Sequence, residues 1–261
     1  MAQRLTRAKR KIKRAGVPFR VPPPELLGER RDQVLHVLYL VFNEGYTVSG
    51  GDRLVRADLC TEAIRLGSVL NELMPDDQEV RGLLALMLLH DARRPGRVDE
   101  RGNLVPLEQQ DRSRWDREQI ERGRGQLELA LQAGNPGPYQ IQAAIALAHA
   151  AAAAAAETDW VHISWLYGQL TALQPTPIIE LNRAVAVAMA EGPERGLELI
   201  DGIGRSGDLD GYHLYHSARA DLLRRSGKHE EAAAAYRRAI ALTGNERERA
   251  YLEGRLREVG G

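Results

Sequence analysis

The 261-residue sequence has little of what builds disulfide-bonded, sheet-rich or membrane-spanning proteins. Its one cysteine, Cys60, has no partner within the chain, which excludes a disulfide framework and a multi-cysteine metal site. Aromatic residues make up only 5% of the chain. The longest alanine-rich apolar stretch, residues 143–156, is too short for a bilayer span. We therefore expect no signal peptide, no membrane partner and a cytoplasmic location.

Alanine, leucine and arginine are abundant instead, which favours helices and predicts an all-α fold. A repeat of about 34 residues, the period of tetratricopeptide helix pairs, runs through the C-terminal half. Tyr167, Asp201 and Tyr236 are in register, and in the last copy Gly227 makes the turn between two helices. One helix pair cannot bury its apolar face alone, so several must stack. The prediction is a tetratricopeptide-like solenoid with a groove, preceded by a short basic helix.

The chain divides into four predicted segments. Residues 1–15 form a basic helix, and residues 16–24 form a proline-rich linker. Residues 25–134 read as helix pairs with a long loop at 95–111, which predicts either function or mobility for that loop. Residues 135–261 contain the repeats and a C-terminal capping helix.

Three details of these helices can be compared with the structure. Asp76 or Asp77 is expected to cap the third long helix, and residues 143–156 to form one interior helix. Trp160 and Trp165 lie five residues apart, so one is expected to pack and the other to be partly exposed. The first long helix is expected to turn five apolar residues inward: Leu27, Val34, Leu38, Val41 and Phe42.

No catalytic signature is present: the sequence has no phosphate-binding glycine loop, nucleophile elbow or HExxH motif. A metal site could be drawn from His90, Asp91, Asp111 and Glu44, but polar helix ends give the same pattern. We therefore predict no catalytic residue, no metal and no cofactor. The alternative function is a small-molecule sensor or metal-dependent hydrolase that uses the polar loop around residues 90–115.

Candidate partner-binding residues come from the expected groove and from one aromatic. Trp115 follows alternating charges, which is typical of an interaction anchor, although an aromatic that fixes the loop onto its helix is the preferred interpretation. The first helix of each pair should line the groove, where arginine and asparagine can hold a carboxylate or backbone group. These residues are Asn182, Ser217, Asp221, Arg224 and Arg225.

The net charge is zero, yet the charges are unevenly distributed. The first twenty residues carry eight Lys or Arg and no acid, which leaves 28 basic and 36 acidic residues in the rest. A basic arm therefore precedes an acidic body. Such an arm contacts polyanions or forms a solvated helix, so a DNA-binding module acting through the arm alone is a third candidate function.

Several motifs in order resemble the C-terminal part of extracytoplasmic-function RNA polymerase sigma factors that carry a tetratricopeptide-like extension. They are the start MAQRLTRAKRKI with GVPFRVPP after it, NEGY at 43–46, LMLLHDARR at 86–94, EQQDRSRWD at 108–116, GPYQIQAAIALAHA at 137–150 and LNRAVAVA at 181–188. The resemblance covers nearly the whole chain. It implies a regulatory protein-interaction extension that acts in transcription initiation through RNA polymerase or the protein's own sigma domains.

The resemblance also implies a role for the arm, which is similar to the last helix of the region that reads the promoter. The sigma segments that precede this helix in the family are missing here, so promoter DNA is expected as a partner only in a full-length context. The candidate major-groove residues are Gln3, Arg4 and Arg7. The candidate phosphate contacts are Lys9, Lys11 and Lys13.

Overall fold

The computed structural model describes residues 26–47, 55–100 and 102–260. Within these ranges the chain forms eleven α-helices and no β-strand, so the all-α prediction is confirmed. The basic arm, the proline-rich linker and the six DNA-contact candidates lie outside the described residues. The helices are α1 (Leu27–Tyr46), α2 (Ala57–Leu73), α3 (Gln78–Asp91), α4 (Arg117–Leu131), α5 (Pro138–Ala151), α6 (Trp160–Leu173), α7 (Pro177–Glu191), α8 (Pro193–Gly204), α9 (His213–Arg225), α10 (His229–Leu242) and α11 (Glu246–Val259).

The chain divides into two units, Met1–His36 and Val37–Gly261, and the division falls within α1. In the second unit each helix from α2 onward packs against the next one along the chain. Two further contacts skip one helix, between α3 and α5 and between α7 and α9. Contacts between neighbours in sequence are the arrangement of a helical repeat. The predicted division at 134/135 falls inside this unit. None of the described helices has both the length and the apolar character needed to cross a bilayer.

The residues that define the repeat lie on alternate helices. Tyr167 and Tyr236 lie near the middle of α6 and α10, whereas Asp201 lies in the last turn of α8. Tyr236 is fully buried, whereas Asp201 is largely exposed and pairs with Arg219 at 2.9 Å. The middle repeat therefore keeps its helix pair but has no large buried side chain at the register position that Tyr236 occupies in the last repeat.

Small residues let the repeat helices approach closely. A Cβ added at Gly196 on α8 would lie 2.4 Å from the Cβ of Ala188 on α7 and 2.9 Å from Leu222 on α9. Tyr236 fills the same core further along, together with Leu223 and Leu252 of α11. A second cluster joins α5, α6 and α7 through Ile141, Ile145, Ile163, Leu166, Leu170 and Ala186.

Side-chain caps fix where several helices begin. The Asp77 carboxylate accepts hydrogen bonds from the backbone N–H groups of Glu79 and Val80, which confirms the expected cap of α3. Asp116, Asp159 and Asn245 do the same at α4, α6 and α11. These residues satisfy N–H groups that have no partner inside the helix.

The inward face of α1 differs from the prediction by one position. Val34 was expected inside but is 45% exposed, while Leu35 is buried. Among the residues of this helix whose side chains are described, which exclude the predicted Leu27, those buried are Leu35, Leu38, Phe42 and Gly45. Their spacings of three and four residues define one helical face. Val41 lies at the edge of that face and is half-buried.

The alanine-rich segment does not form one helix from 143 to 156, so that expectation was wrong. Helix α5 ends at Ala151, and a short 3-10 turn follows at Ala155–Glu157. Arg112 donates hydrogen bonds to the carbonyl oxygens of His149 and Ala152 at 2.9 and 2.6 Å. These contacts satisfy carbonyl groups at the helix end, where a positive charge is also favoured by the helix dipole.

Candidate functional site

The predicted groove residues on α9 form an ion-pair network with α11. Both oxygens of the Asp221 carboxylate accept hydrogen bonds, from Arg224 at 2.8 Å and from Arg225 at 2.7 Å. Arg255 of α11 lies 3.5 Å from the same carboxylate and pairs with Glu258 at 2.8 Å. The arginines expected to hold a partner's carboxylate are thus already paired within the chain. A partner would have to compete with these contacts.

The 95–111 loop reaches the same helices. Its turn is closed by an antiparallel bridge between Val98 and Leu104, and Gly102 takes a φ of +75°, which favours glycine. Glu108 pairs with Arg225 of α9 at 2.7 Å. Arg247 of α11 donates to the Asn103 side chain at 3.1 Å. The long loop is therefore packed against the C-terminal repeats.

The other predicted partner-binding residues are only partly brought together. Asn182 is exposed on α7, and the Met189 sulfur of the same helix lies 2.8 Å from an Arg225 nitrogen. Ser217 is half-buried on α9, one helical turn before Asp221. Asn182 is thus the candidate whose side chain a partner could reach most freely.

Trp115 does not belong to an exposed interaction surface, so its assignment as a partner-binding residue is corrected. Its side chain is 3% exposed, and the guanidinium groups of Arg93 and Arg112 lie 5.5 and 4.9 Å from the centre of its ring. A Cβ at Gly96 would lie 2.8 Å from the indole nitrogen. The ring fixes the loop onto the helices, in agreement with the preferred interpretation.

The residues of the alternative metal site have separate structural surroundings. The Asp91 carboxylate is buried, 3.4 Å from Arg94, and accepts a hydrogen bond from Gln119 at 3.1 Å. Asp111 caps a short 3-10 turn through Ser113, and the hydrogen bonds from Ser113 lower the pKa of its carboxyl. Among the described residues, no three His, Cys, Asp or Glu side chains come close enough to hold a metal ion. Glu44 is half-buried on α1.

A basic cluster that sequence reasoning did not identify lies between the ends of α3 and α5. Arg93 follows α3 and is 7% exposed. The His90 ring packs at a tilt of 53° against Tyr46, with ring centroids 5.2 Å apart, and His149 packs edge-on against Trp160 at 5.1 Å. Burial, with the nearby charge of Arg93, lowers the pKa of both histidines to about 3. Both imidazoles are therefore neutral at neutral pH.

Arg93 is incompletely compensated for its burial. Removing a charged side chain from water costs several kcal/mol. The dipole at the end of α3 and the Trp115 ring each offset about 2 kcal/mol of this cost. Neither hydrogen bonds nor ion pairs of the Arg93 side chain occur in the described part of the chain. Among the described residues, the cluster therefore contains a buried arginine without a counterion.

An apolar groove lies on another face, between the end of α4, the start of α5 and α6. It encloses about 420 Å³ and is lined by Leu131, Ile141, Trp165 and Leu173, among others. Trp165 is 58% exposed and stacks on His162 with ring centroids 5.8 Å apart. Trp160 is half-buried, so the expectation that only one of the two tryptophans packs is confirmed. Exposed aromatic residues beside a groove are typical of interaction surfaces.

Comparison with known proteins gives two matches. The model of a family described as "Family of unknown function (DUF6596)" matches residues 30–131, which contain most of α1 and all of α2–α4. A protein of Rhizobium meliloti (strain 1021), described as uncharacterized, is 46% identical over 256 residues. The alignment covers 98% of this chain but 60% of the relative, so the chain spans less than two thirds of the relative's length. The similarity extends beyond the family match, into the repeats.

Proposed function

We propose that the chain is the regulatory, protein-binding extension of an extracytoplasmic-function RNA polymerase sigma factor and acts in transcription initiation. Several motifs support this proposal because they resemble that family in order along the sequence. The longer relative also supports it, since 40% of its length lies outside the alignment and could hold further domains. On this proposal the extension works by contact and not by chemistry.

The observation that carries a binding role is the exposed apolar groove around Trp165. Trp165, Leu173 and Leu131 remain exposed, whereas Ile163, Leu166 and Leu170 of helix α6 are buried. A large aromatic at the centre of such a patch is a frequent hot spot, because a partner can remove it completely from water. We propose that RNA polymerase or the sigma domains bind there.

Binding can be tested with two purified partners. One is the host core RNA polymerase, and the other is the part of the Rhizobium meliloti relative that lies outside the alignment, produced separately. We expect one of them to bind this chain and Trp165→Ser to weaken binding at least about tenfold, a typical hot-spot effect. The matched control is Val161→Ser, an exposed residue of α6 that does not line the groove. Binding by neither partner would refute the proposal.

A transcription assay tests regulation separately. In the longer relative, a truncation at the position aligned with Gly207 removes the counterparts of α9–α11. If the extension works by contact, promoter-dependent transcription should be lost or deregulated while promoter binding stays intact. The present chain alone should bind DNA only weakly and without sequence preference, because the charges of a basic arm contact phosphate groups whatever the base sequence. Unchanged transcription would mean that the C-terminal repeats carry no regulatory function.

A further inference from the structure

The buried arginine between α3 and α5 has the properties of a ligand-binding group. The guanidinium of Arg93 lies 5.5 Å from the centre of the Trp115 ring and has no hydrogen-bond or ion-pair partner among the described residues. Its Nε is buried without a hydrogen-bond acceptor. The guanidinium of Arg112 also lies over this ring, but it donates hydrogen bonds to two backbone carbonyl groups. The free charge at this place is therefore that of Arg93.

Several cations and two histidines surround Arg93, and no carboxylate pairs with it among the described residues. His90 and His149 each have a buried Nδ1 without a partner. Arg97 covers the Tyr46 ring at 3.7 Å. Burial lowers the pKa of Arg112, the charges of Arg93 and Arg117 lower it further, and Glu157 raises it. The nearest acid along the chain, Asp91, is occupied by Arg94 and Gln119. Cations repel one another here, and an anion would relieve that repulsion.

The cluster is also open to a molecule the size of water. His90, His149 and Tyr167 all retain partial accessibility. Nevertheless, loss of hydration lowers the pKa of both histidines to about 3 and raises that of Tyr167 to about 12. Arg93 lies close enough to shift all three pKa values, so its guanidinium is near these three side chains.

We propose that Arg93, with His90 and His149 beside it, binds a small anion through a carboxylate or phosphate group. The planar guanidinium can donate two parallel hydrogen bonds to either group. The neutral imidazoles add donors, and the rings of Tyr46 and Trp160, which contact them, form apolar walls. This site lies apart from the Trp165 groove, so it does not depend on the proposed partner contact. It would make the helical repeat a sensor of a small anion.

The test titrates the purified chain with inorganic phosphate and, separately, with citrate, at ionic strength held constant with sodium chloride. We expect at least one probe to raise the melting temperature in a saturable way and to give a binding isotherm by calorimetry. Binding of phosphate alone assigns a phosphoryl ligand, and binding of citrate alone assigns a carboxylate ligand. No effect of either probe beyond that of chloride overturns the proposal.

Variants separate binding from folding. Arg93→Met should weaken binding at least about tenfold. Without anion it should melt at the same temperature as the wild type or higher, because it removes an uncompensated buried charge. Arg93→Lys keeps the positive charge but loses the forked guanidinium. This variant should therefore fold, and it should bind the anion more weakly than the wild type. Arg183→Met, on the exposed surface of α7, is the matched control and should bind normally. Unchanged binding in both Arg93 variants overturns the assignment.

Discussion

Glu108 in the 95–111 loop and Arg225 at the end of α9 form an ion pair of 2.7 Å, although 117 residues separate them in sequence. Both side chains are partly exposed, so the pair contributes about 0–1 kcal/mol to stability. Its importance lies in position, because it joins the longest loop in the described part of the chain to the C-terminal repeats.

The first prediction tests this ion pair. Glu108→Gln should lower the free energy of unfolding by less than about 1 kcal/mol, since exposed ion pairs are weak. Amide exchange of residues 102–110 should nevertheless become faster, because the loop loses its contact with α9. Hydrogen exchange with mass spectrometry measures the amide exchange of the loop and of α9. Glu100→Gln, an exposed change in the same loop, serves as the control and should leave exchange unaltered. Equal exchange in Glu108→Gln and wild type would contradict the prediction.

The second prediction concerns the core of the last repeat. Tyr236 is 1% exposed and packs in the cluster that joins α10 to α11. Tyr236→Ala should lower the free energy of unfolding by about 3 to 5 kcal/mol, as for other buried aromatics. Tyr236→Phe keeps the ring and should cost less than about 1.5 kcal/mol. Urea denaturation followed by circular dichroism compares them, and similar losses in both variants would show that the ring is not the stabilising element.

The third prediction uses two glycines that lie within helices. Gly196→Ala places a methyl group 2.4 Å from Ala188 and should destabilise the chain by about 1 to 3 kcal/mol. Gly168→Ala, on α6, meets no atom within 4 Å and should stabilise it by about 0.5 to 1 kcal/mol, because alanine favours helix. Thermal melts of the two variants should therefore shift in opposite directions. A shift of the same sign in both would contradict the close packing of α7 and α8.

The fourth prediction is a pH dependence. The pKa of His90 and His149 falls from 6.5 to about 3 on folding, so the unfolded chain binds more protons between these values. The free energy of unfolding should therefore rise with pH through this window, by up to about 1.4 kcal/mol per pH unit for each histidine. The contribution of the two histidines is complete above about pH 6.5.

Urea denaturation between about pH 5 and pH 6.5 measures this slope where ordinary carboxyl groups remain ionised. His90→Gln should remove about half of the contribution of the two histidines. His229→Gln, at the exposed start of α10, is the control and should not reduce the slope in the same way. An unchanged slope in His90→Gln would mean that its imidazole is not held neutral.

Helices and their starts could be predicted from the sequence because they depend on local patterns. Asp77 caps α3 through its own neighbours, and the 34-residue register places Tyr167, Asp201 and Tyr236 on alternate helices. The displaced face of α1 shows the limit of such patterns. Val34 and Leu35 are both apolar, so composition alone did not decide which of them turns inward.

The site could be predicted less well because distant segments build it. Sequence reasoning connected His90 with Asp91 and Asp111, its neighbours along the chain, whereas the structure places it with Arg93 and His149. The available signal was an arginine and a histidine at the end of an apolar helix, but nothing local marks the contribution of α5. Glu108 was likewise assigned to a loop whose contact with Arg225 no local pattern contains.

The contacts of the 95–111 loop change how this repeat should lose its structure. In an open array, the last helices unfold first because each repeat is held only by its neighbours. Here α9 and α11 are also fastened to residues Glu108 and Asn103, more than one hundred positions upstream. Fraying of the C-terminal end must therefore break contacts with the loop that follows α3. The last helices should consequently open less readily than the end of an array that has no such contacts.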